Sequence, residues 1–231
     1  GQTINSRSSA GRGSRSRSVY PALSTTIRRV PTSRTVPAAD AITPSGWGPG
    51  LDLIAAEPAL EHRNAPGDAG SALRLRRALR GVADDYDLVL LDSPPSLGEI
   101  TRNGLAAASH AVVVTEPGYC ALRGAEQALE AVTVVRDNTN LRLRALGVVV
   151  NRMRKTLGEQ KFRLAELQDA YPQLLVEPSI PERSAIQRAE GAGVPLTALG
   201  RAGASVARIF DQVYAELDRR VNATNTMGAV S

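Results

Sequence analysis

Three apolar runs, each closed by a polar residue, constrain this chain more than any other feature. Asp87-Leu88-Val89-Leu90-Leu91-Asp92, Ala111-Val112-Val113-Val114-Thr115 and the stretch from Leu143 to Val150 are largely continuous rather than alternating. A strand with one wet face alternates apolar and polar side chains, so continuous runs of this length predict strands buried on both faces. Segments of helical period lie between them. Ala72, Leu75, Leu79 and Val82 fall on one face ahead of Asp84-Asp85, and a helix is predicted to run on after Pro94-Pro95 through Ala106. Leu122, Ala125, Leu129 and Val132 share a face of a helix over 122–136. Leu157 to Ala170 predicts another helix, Leu174-Leu175-Val176 a short strand, and Ala202 to Val221 a last helix with Val206, Ile209, Phe210, Val213 and Leu217 inward. Leu51-Asp52-Leu53-Ile54 is a further strand candidate upstream. Repeated strand–helix alternation implies an α/β fold, a doubly wound, mostly parallel sheet with helices on both faces.

Charge divides the chain into parts. The formal net charge is +5 over 231 residues, but residues 1–39 hold seven arginines and no acid, whereas residues 40–231 hold 21 basic and 23 acidic residues, a net of −2. The basic segment alternates Ser and Arg and has few large apolar side chains, so it cannot offset its ordering entropy. Residues 1–36 are therefore expected to be a disordered Arg/Ser-rich tail, residues 37–221 the α/β domain, and residues 222–231 a flexible C-terminal tail. No apolar run is long enough for a membrane span or the core of a signal peptide. Cys120 is the single cysteine and His62 and His110 are the two histidines. That excludes a disulfide framework and argues against a structural zinc cluster. Cys120 itself reads as a small, at least half-buried side chain.

Parallel strands present their carboxyl ends on one edge, where ligands of open α/β sheets bind. Just beyond the three runs stand Asp92-Ser93-Pro94-Pro95, Thr115-Glu116-Pro117-Gly118 and Asn151-Arg152. An acid ending a buried strand suits Mg²⁺, which prefers hard oxygen ligands and keeps part of its water shell. Asp92 is the best candidate for that role, with helix capping as the plainer alternative.

The stretch Tyr86 to Gly98 resembles the Walker B and switch II segment of the ParA/Soj-type partition ATPases, members of the deviant Walker A group that also holds the cell-division regulator MinD. Gly50 to Ala56, Thr115-Glu116-Pro117, Ala121 to Gly124, Leu146 to Arg152, Ile180 to Ser184 and Gly193 to Leu196 follow in the family's order, so the resemblance spans about Val36 to Leu217. It implies a P-loop NTPase-like fold, bound ATP and Mg²⁺, a homodimer formed around nucleotide, contact with non-specific duplex DNA, and a ParB-like centromere-binding partner. A cytoplasmic, nucleoid-associated protein without a membrane anchor is implied as well. Asp92 resembles the Walker B acid that supports Mg²⁺ through water and the attacking water. Ser93, Pro94 and Pro95 stand in switch II, Asn151 where the family reads adenine, and Pro181 where the chain packs beside the base. Arg183, Arg188, Arg201 and Arg208 are the candidates for DNA contact, with a solvated mixed-charge face as the competing reading.

One departure from the family is large. Its glycine-rich loop, K-G-G-x-G-K-T, cradles phosphates with backbone N–H groups and neutralises them with lysine. These 231 residues contain no such loop, and their two lysines, Lys155 and Lys161, stand in or beside a predicted helix. The family's first strand is not recognisable either, which would leave Leu88–Leu91 without a neighbour. Little ATPase activity is therefore expected from the chain alone, as a truncated or degenerate member of the family; the alternatives are an active ATPase whose missing portion is outside these residues and a non-enzymatic dimerisation, DNA- or partner-binding module. A MinD-like regulator is less consistent with the short, uncharged stretch 222–231.

Overall fold

The computed structural model describes residues 18–20, 38–64, 70–94, 96–154 and 156–228. Most of the Arg/Ser-rich segment and Pro95 lie outside them. Two compact units are present, residues 1–56 with 79–92 and residues 57–78 with 93–231.

The first unit is a four-stranded sheet of β1 (Ser18–Tyr20), β2 (Ile42–Pro44), β3 (Leu51–Ile54) and β4 (Leu88–Val89), in the order β2-β3-β1-β4. β1 runs parallel to both β3 and β4, and the β2–β3 hairpin is antiparallel. The hairpin loop closes through the Ser45 N–H on the Leu51 carbonyl at 2.8 Å, with Gly48 and Gly50 taking positive φ. Two expectations change here. Leu88–Val89 does have a neighbour, because Ser18–Tyr20 inside the predicted tail forms a strand. The run 87–92 is not buried on both faces, since only two residues pair and Leu88 and Leu90 are exposed. β4 is an end strand, and a partner on one side alone cannot cover it.

The second unit is built on the parallel sheet β5 (His110–Thr115), β6 (Arg144–Val150) and β7 (Leu175–Val176), in that order. Its helices are α1 (Arg74–Ala78), α2 (Glu99–Ala107), α3 (Ala121–Asn138), α4 (Gly158–Ala170), α5 (Ser184–Ala192) and α6 (Gly200–Gly228). β6 lies in the middle, and its side chains divide as a strand's must. Val148 and Val150 join Ala121, Ala125 and Leu167 on the α3–α4 side, while Val149 joins Val176, Ile180 and Val213 on the α5–α6 side. A third cluster sets Leu143 against Ala106, Val132 and Val135.

β5 corrects the sequence reading, because only Val113 is buried while Val112 and Val114 are exposed. It too is an end strand. Phe210 and Cys120 are also exposed rather than inward.

Polar contacts fix the helix ends. Asn64 accepts from the Glu99 N–H with its carbonyl and from the Ile100 N–H with its side chain, each at 3.4 Å. The buried Ser71 hydroxyl donates to the Glu99 carboxylate. α6 continues to Gly228, past residue 222 where the sequence reading begins a tail. Near that end the Thr224 hydroxyl donates to the Val221 carbonyl at 2.8 Å and accepts from His110 Nε2 at 2.9 Å, which ties the last turns to β5. Burial, then the nearby Arg144 charge, lowers the His110 pKa.

Candidate nucleotide edge

The predicted site residues fall in both units. Asp92 closes the β4 segment of the first unit and is exposed. Ser93 and Pro94 begin the next segment of the second unit and are also exposed. That loop is held against α2 by the Thr101 hydroxyl, which donates to the Ser96 carbonyl at 2.5 Å. Ser93 Oγ lies 3.1 Å from where a Cβ on Gly104 would stand, so the buried glycine gives the loop room to approach.

The second unit brings Asn151 and Pro181 to one edge. β6 passes Val150 and continues alongside the chain after β7. The Ile180 N–H donates to the Val150 carbonyl at 2.8 Å, the Met153 N–H to Ile180 at 3.0 Å, and the Glu182 N–H to Met153 at 3.1 Å. Met153 and Pro181 form a parallel bridge there. On the other side the Asn151 N–H donates to the Thr115 carbonyl at 2.8 Å. Glu116 and Arg152 thus stand just beyond β5 and β6, and Glu182 lies in the segment that runs beside residues 150–153 some residues after β7.

Arg152 joins these segments. Its Nη1 lies 3.1 Å from Glu116 Oε1 and its Nη2 3.5 Å from Glu182 Oε1, and Glu182 also pairs with Arg154. The signal for this cluster in the sequence was slight. Glu116, Arg152 and Glu182 each stand inside a family motif, but their pairing crosses 36 and 30 positions.

Of the candidate DNA contacts, Arg183 caps the start of α5 and donates Nη1 to its neighbour's carbonyl at 3.0 Å. Arg188 on α5 and Arg201 and Arg208 on α6 are exposed, with no ion pair among the described residues. Among those residues no group of three or more His, Cys, Asp or Glu is placed to hold a metal ion. A groove of about 710 Å³ between α4 and α6, lined by Leu164, Pro178, Gln212 and Arg219 among others, involves none of the predicted site residues.

Comparison with known proteins decides the family. The AAA_31 model, described as an AAA domain, matches residues 7–145. The chain belongs to this family, that of the ParA/Soj-type partition ATPases. It is 49% identical to the chromosome-partitioning ATPase Soj of Thermus thermophilus over 82 residues, 36% of this chain and 32% of that one. It is 29% identical to the protein IncC of Escherichia coli over 176 residues, 74% of this chain and 49% of that one. The matches thus span half or less of these curated relatives. Among solved structures, the cobyrinic acid a,c-diamide synthase of Mycobacterium smegmatis with bound ADP and magnesium is 26% identical, with TM-score 0.63 over 77% of this chain and 84% of that one. This places the chain in the P-loop NTPase-like α/β class.

The fit of a nucleotide to the residues of this chain is uneven. The edge beyond β6 offers the Asn151 side-chain amide, and Pro181 is bridged to Met153 two residues further on. For the phosphates and Mg²⁺, Asp92 is present, but the sequence holds no glycine-rich lysine loop.

Proposed function

We propose that this chain acts as a ParA/Soj-type partition protein whose residues provide a Walker B acid, Asp92, and a base-facing edge, Asn151 with Pro181, but no phosphate loop of their own. One observation carries the reading: family residues persist at the strand ends while both lysines, Lys155 and Lys161, stand far in sequence from any glycine-rich turn. Phosphoryl transfer is catalysed almost entirely by positioning and by stabilising phosphate charge, so the chain alone hydrolyses ATP little or not at all. What these 231 residues supply is then binding, whether to nucleotide, a second copy, DNA or a centromere-binding protein. The α/β domain of this reading includes Ser18–Tyr20, which pairs with β3 and β4.

Titration of a fluorescent ATP analogue with Mg²⁺ into the 231-residue chain, alongside phosphate release, tests this. Saturable binding that Asp92→Ala weakens, with negligible release, is expected. Steady release at a rate ordinary for the family would refute the inactive reading, and absence of binding up to millimolar nucleotide would refute the nucleotide edge.

DNA contact is the second part of the proposal, supported by the unpaired state of Arg188, Arg201 and Arg208 among the described residues. Duplex binding should be independent of sequence and fall steeply with salt, and each charge that contacts phosphate adds roughly 0.9 to the log–log slope. Replacing all three by Ala should lower the slope by about 2 to 3. A slope unchanged in the triple variant would remove these residues from the interface.

A further inference from the structure

We infer that the free edge of β5 is a self-pairing surface, where two copies of this chain join strand against antiparallel strand without nucleotide. Hydrogen-bond directions define that edge. The Ser109 carbonyl accepts from the Arg144 N–H at 3.0 Å and the Thr115 carbonyl from the Asn151 N–H at 2.8 Å, so the odd-numbered residues of the strand face β6. Backbone direction alternates along a strand, and the N–H and C=O groups of Val112 and Val114 therefore face away from β6. β5 pairs with β6 alone, and those outward groups have no partner among the described residues. Their side chains are 40% and 62% exposed. An edge left open in this way is ordinarily guarded by lysine, another charge or proline. Residues 111–115 carry none of these.

The strand itself selects a second copy as the occupant. A closed pair is two-fold symmetric, which makes the two β5 strands antiparallel. Outward-facing residues must then stand opposite outward-facing residues. Of the axes that obey this rule, the one at Val113 sets Val112 opposite Val114 of the second copy, and each such pair exchanges both of its backbone N–H···O bonds. The outward groups of both valines are satisfied together. Their side chains share one face, since Val113 packs with the α3–α4 cluster and its neighbours point to the other side. The same axis brings His110, with Arg144 beside it in β6, toward Glu116 of the second copy. Arg144 gives its Nη1 to the Leu141 and Leu143 carbonyls and has no carboxylate partner among the described residues, and Glu116 is exposed. The basic end of each strand thus meets the acidic end of the other. A six-residue strand covers little surface, so the dimer depends on concentration. It differs from a dimer closed around nucleotide, because Asp92, Asn151 and Pro181 take no part in it.

Sedimentation velocity of the 231-residue chain without nucleotide, over a rising series of concentrations, tests the pairing. A monomer–dimer equilibrium is expected. Val114→Pro removes an outward N–H that makes no bond within the protomer, so it keeps the β5–β6 ladder and should raise the dissociation constant about thirty-fold, the worth of two hydrogen bonds. Val114→Lys should also weaken the dimer, through charge, and decides the matter where circular dichroism shows the proline variant unfolded. Hydrogen exchange reads the edge directly. The Val112 and Val114 amides should gain protection only as concentration rises, whereas the Val113 amide stays protected throughout. For the register, Val112→Cys and Val114→Cys protomers, each also carrying Cys120→Ser, should form a disulfide with each other and not with themselves. A chain that stays monomeric, or that dimerises only when ATP is added, would overturn the proposal. So would a dimer that survives both Val114 variants, or edge amides protected at every concentration, which would mean that one copy covers its own edge. Like-with-like disulfides as abundant as the mixed one would overturn the antiparallel register at Val113.

Discussion

Val113→Asp should unfold the second unit near physiological temperature, while Val114→Asp, one residue away, should leave it folded. Val113 is 9% exposed and packs with Ala121, Ala125 and Val148, so an aspartate there places a carboxylate in an apolar cluster with no partner. The loss is expected to exceed about 3 kcal/mol. For a domain of this size, that corresponds to a fall in Tm of roughly 10 °C. Val114 is 62% exposed, and its carboxylate would stay in water, at about 1 kcal/mol or less for the weaker strand propensity. Thermal melts by circular dichroism separate the cases. Equal losses at the two positions would mean that both faces of β5 are covered in solution.

The same pair shows what a sequence can and cannot say about a sheet. Ala111–Thr115 and Leu143–Val150 read alike, yet β6 is covered on both faces and β5 on one. The difference lies in neighbours. β6 has a strand on each side and helices above and below, whereas β5 ends its sheet. A run of valines records that a strand can be buried, not how many partners it finds. The run 87–92 misleads for the same reason, since β4 is also an end strand.

The placement of Asn151 and Pro181 at one sheet edge was legible because the family motifs that hold them fall at or after strand ends. The Arg152 turn, at φ 56°, was not legible. A positive φ at a non-glycine residue leaves no mark in composition, and its two acids come from other loops. Arg220 was hidden differently, because in sequence it is one more arginine on the polar face of a long helix.

Arg220 supports the largest stability prediction. Its guanidinium is nearly enclosed, with the side chain 16% exposed, and it donates to backbone carbonyls from both β6 and the β7 approach. Nη1 reaches Leu146 at 3.1 Å, Gln173 at 3.3 Å and Leu174 at 3.0 Å, Nη2 reaches Leu175 at 2.8 Å, and Nε reaches Glu216 at 2.7 Å. Arg220→Ala leaves several of these acceptors short of partners in a place water reaches poorly, a loss of about 3 to 5 kcal/mol. Arg220→Lys keeps the charge but not the fork, so a point donor should recover less than half of that. Gly147→Ala should reproduce part of the defect, because a Cβ there would stand 2.9 Å from Arg220 Nη1 and from the Leu174 carbonyl and closer still to Val176.

The acid limb of the stability curve gives an independent check. Hydrogen bonds from Arg219 and then Arg220 hold the Glu216 pKa at about 2, below its ordinary 4.5. A depressed carboxylate pKa contributes stability that is complete above the unfolded value and lost as pH falls toward the folded one. Native protein should therefore lose stability between about pH 4.5 and 2 through this group, and Arg220→Ala should lose less of it over that window. Since β6 leads into Asn151 and into Met153, which bridges Pro181, the same variant should weaken nucleotide more than its stability loss alone explains. Native affinity in a folded Arg220→Ala protein would show that the strand ends keep their alignment without the arginine.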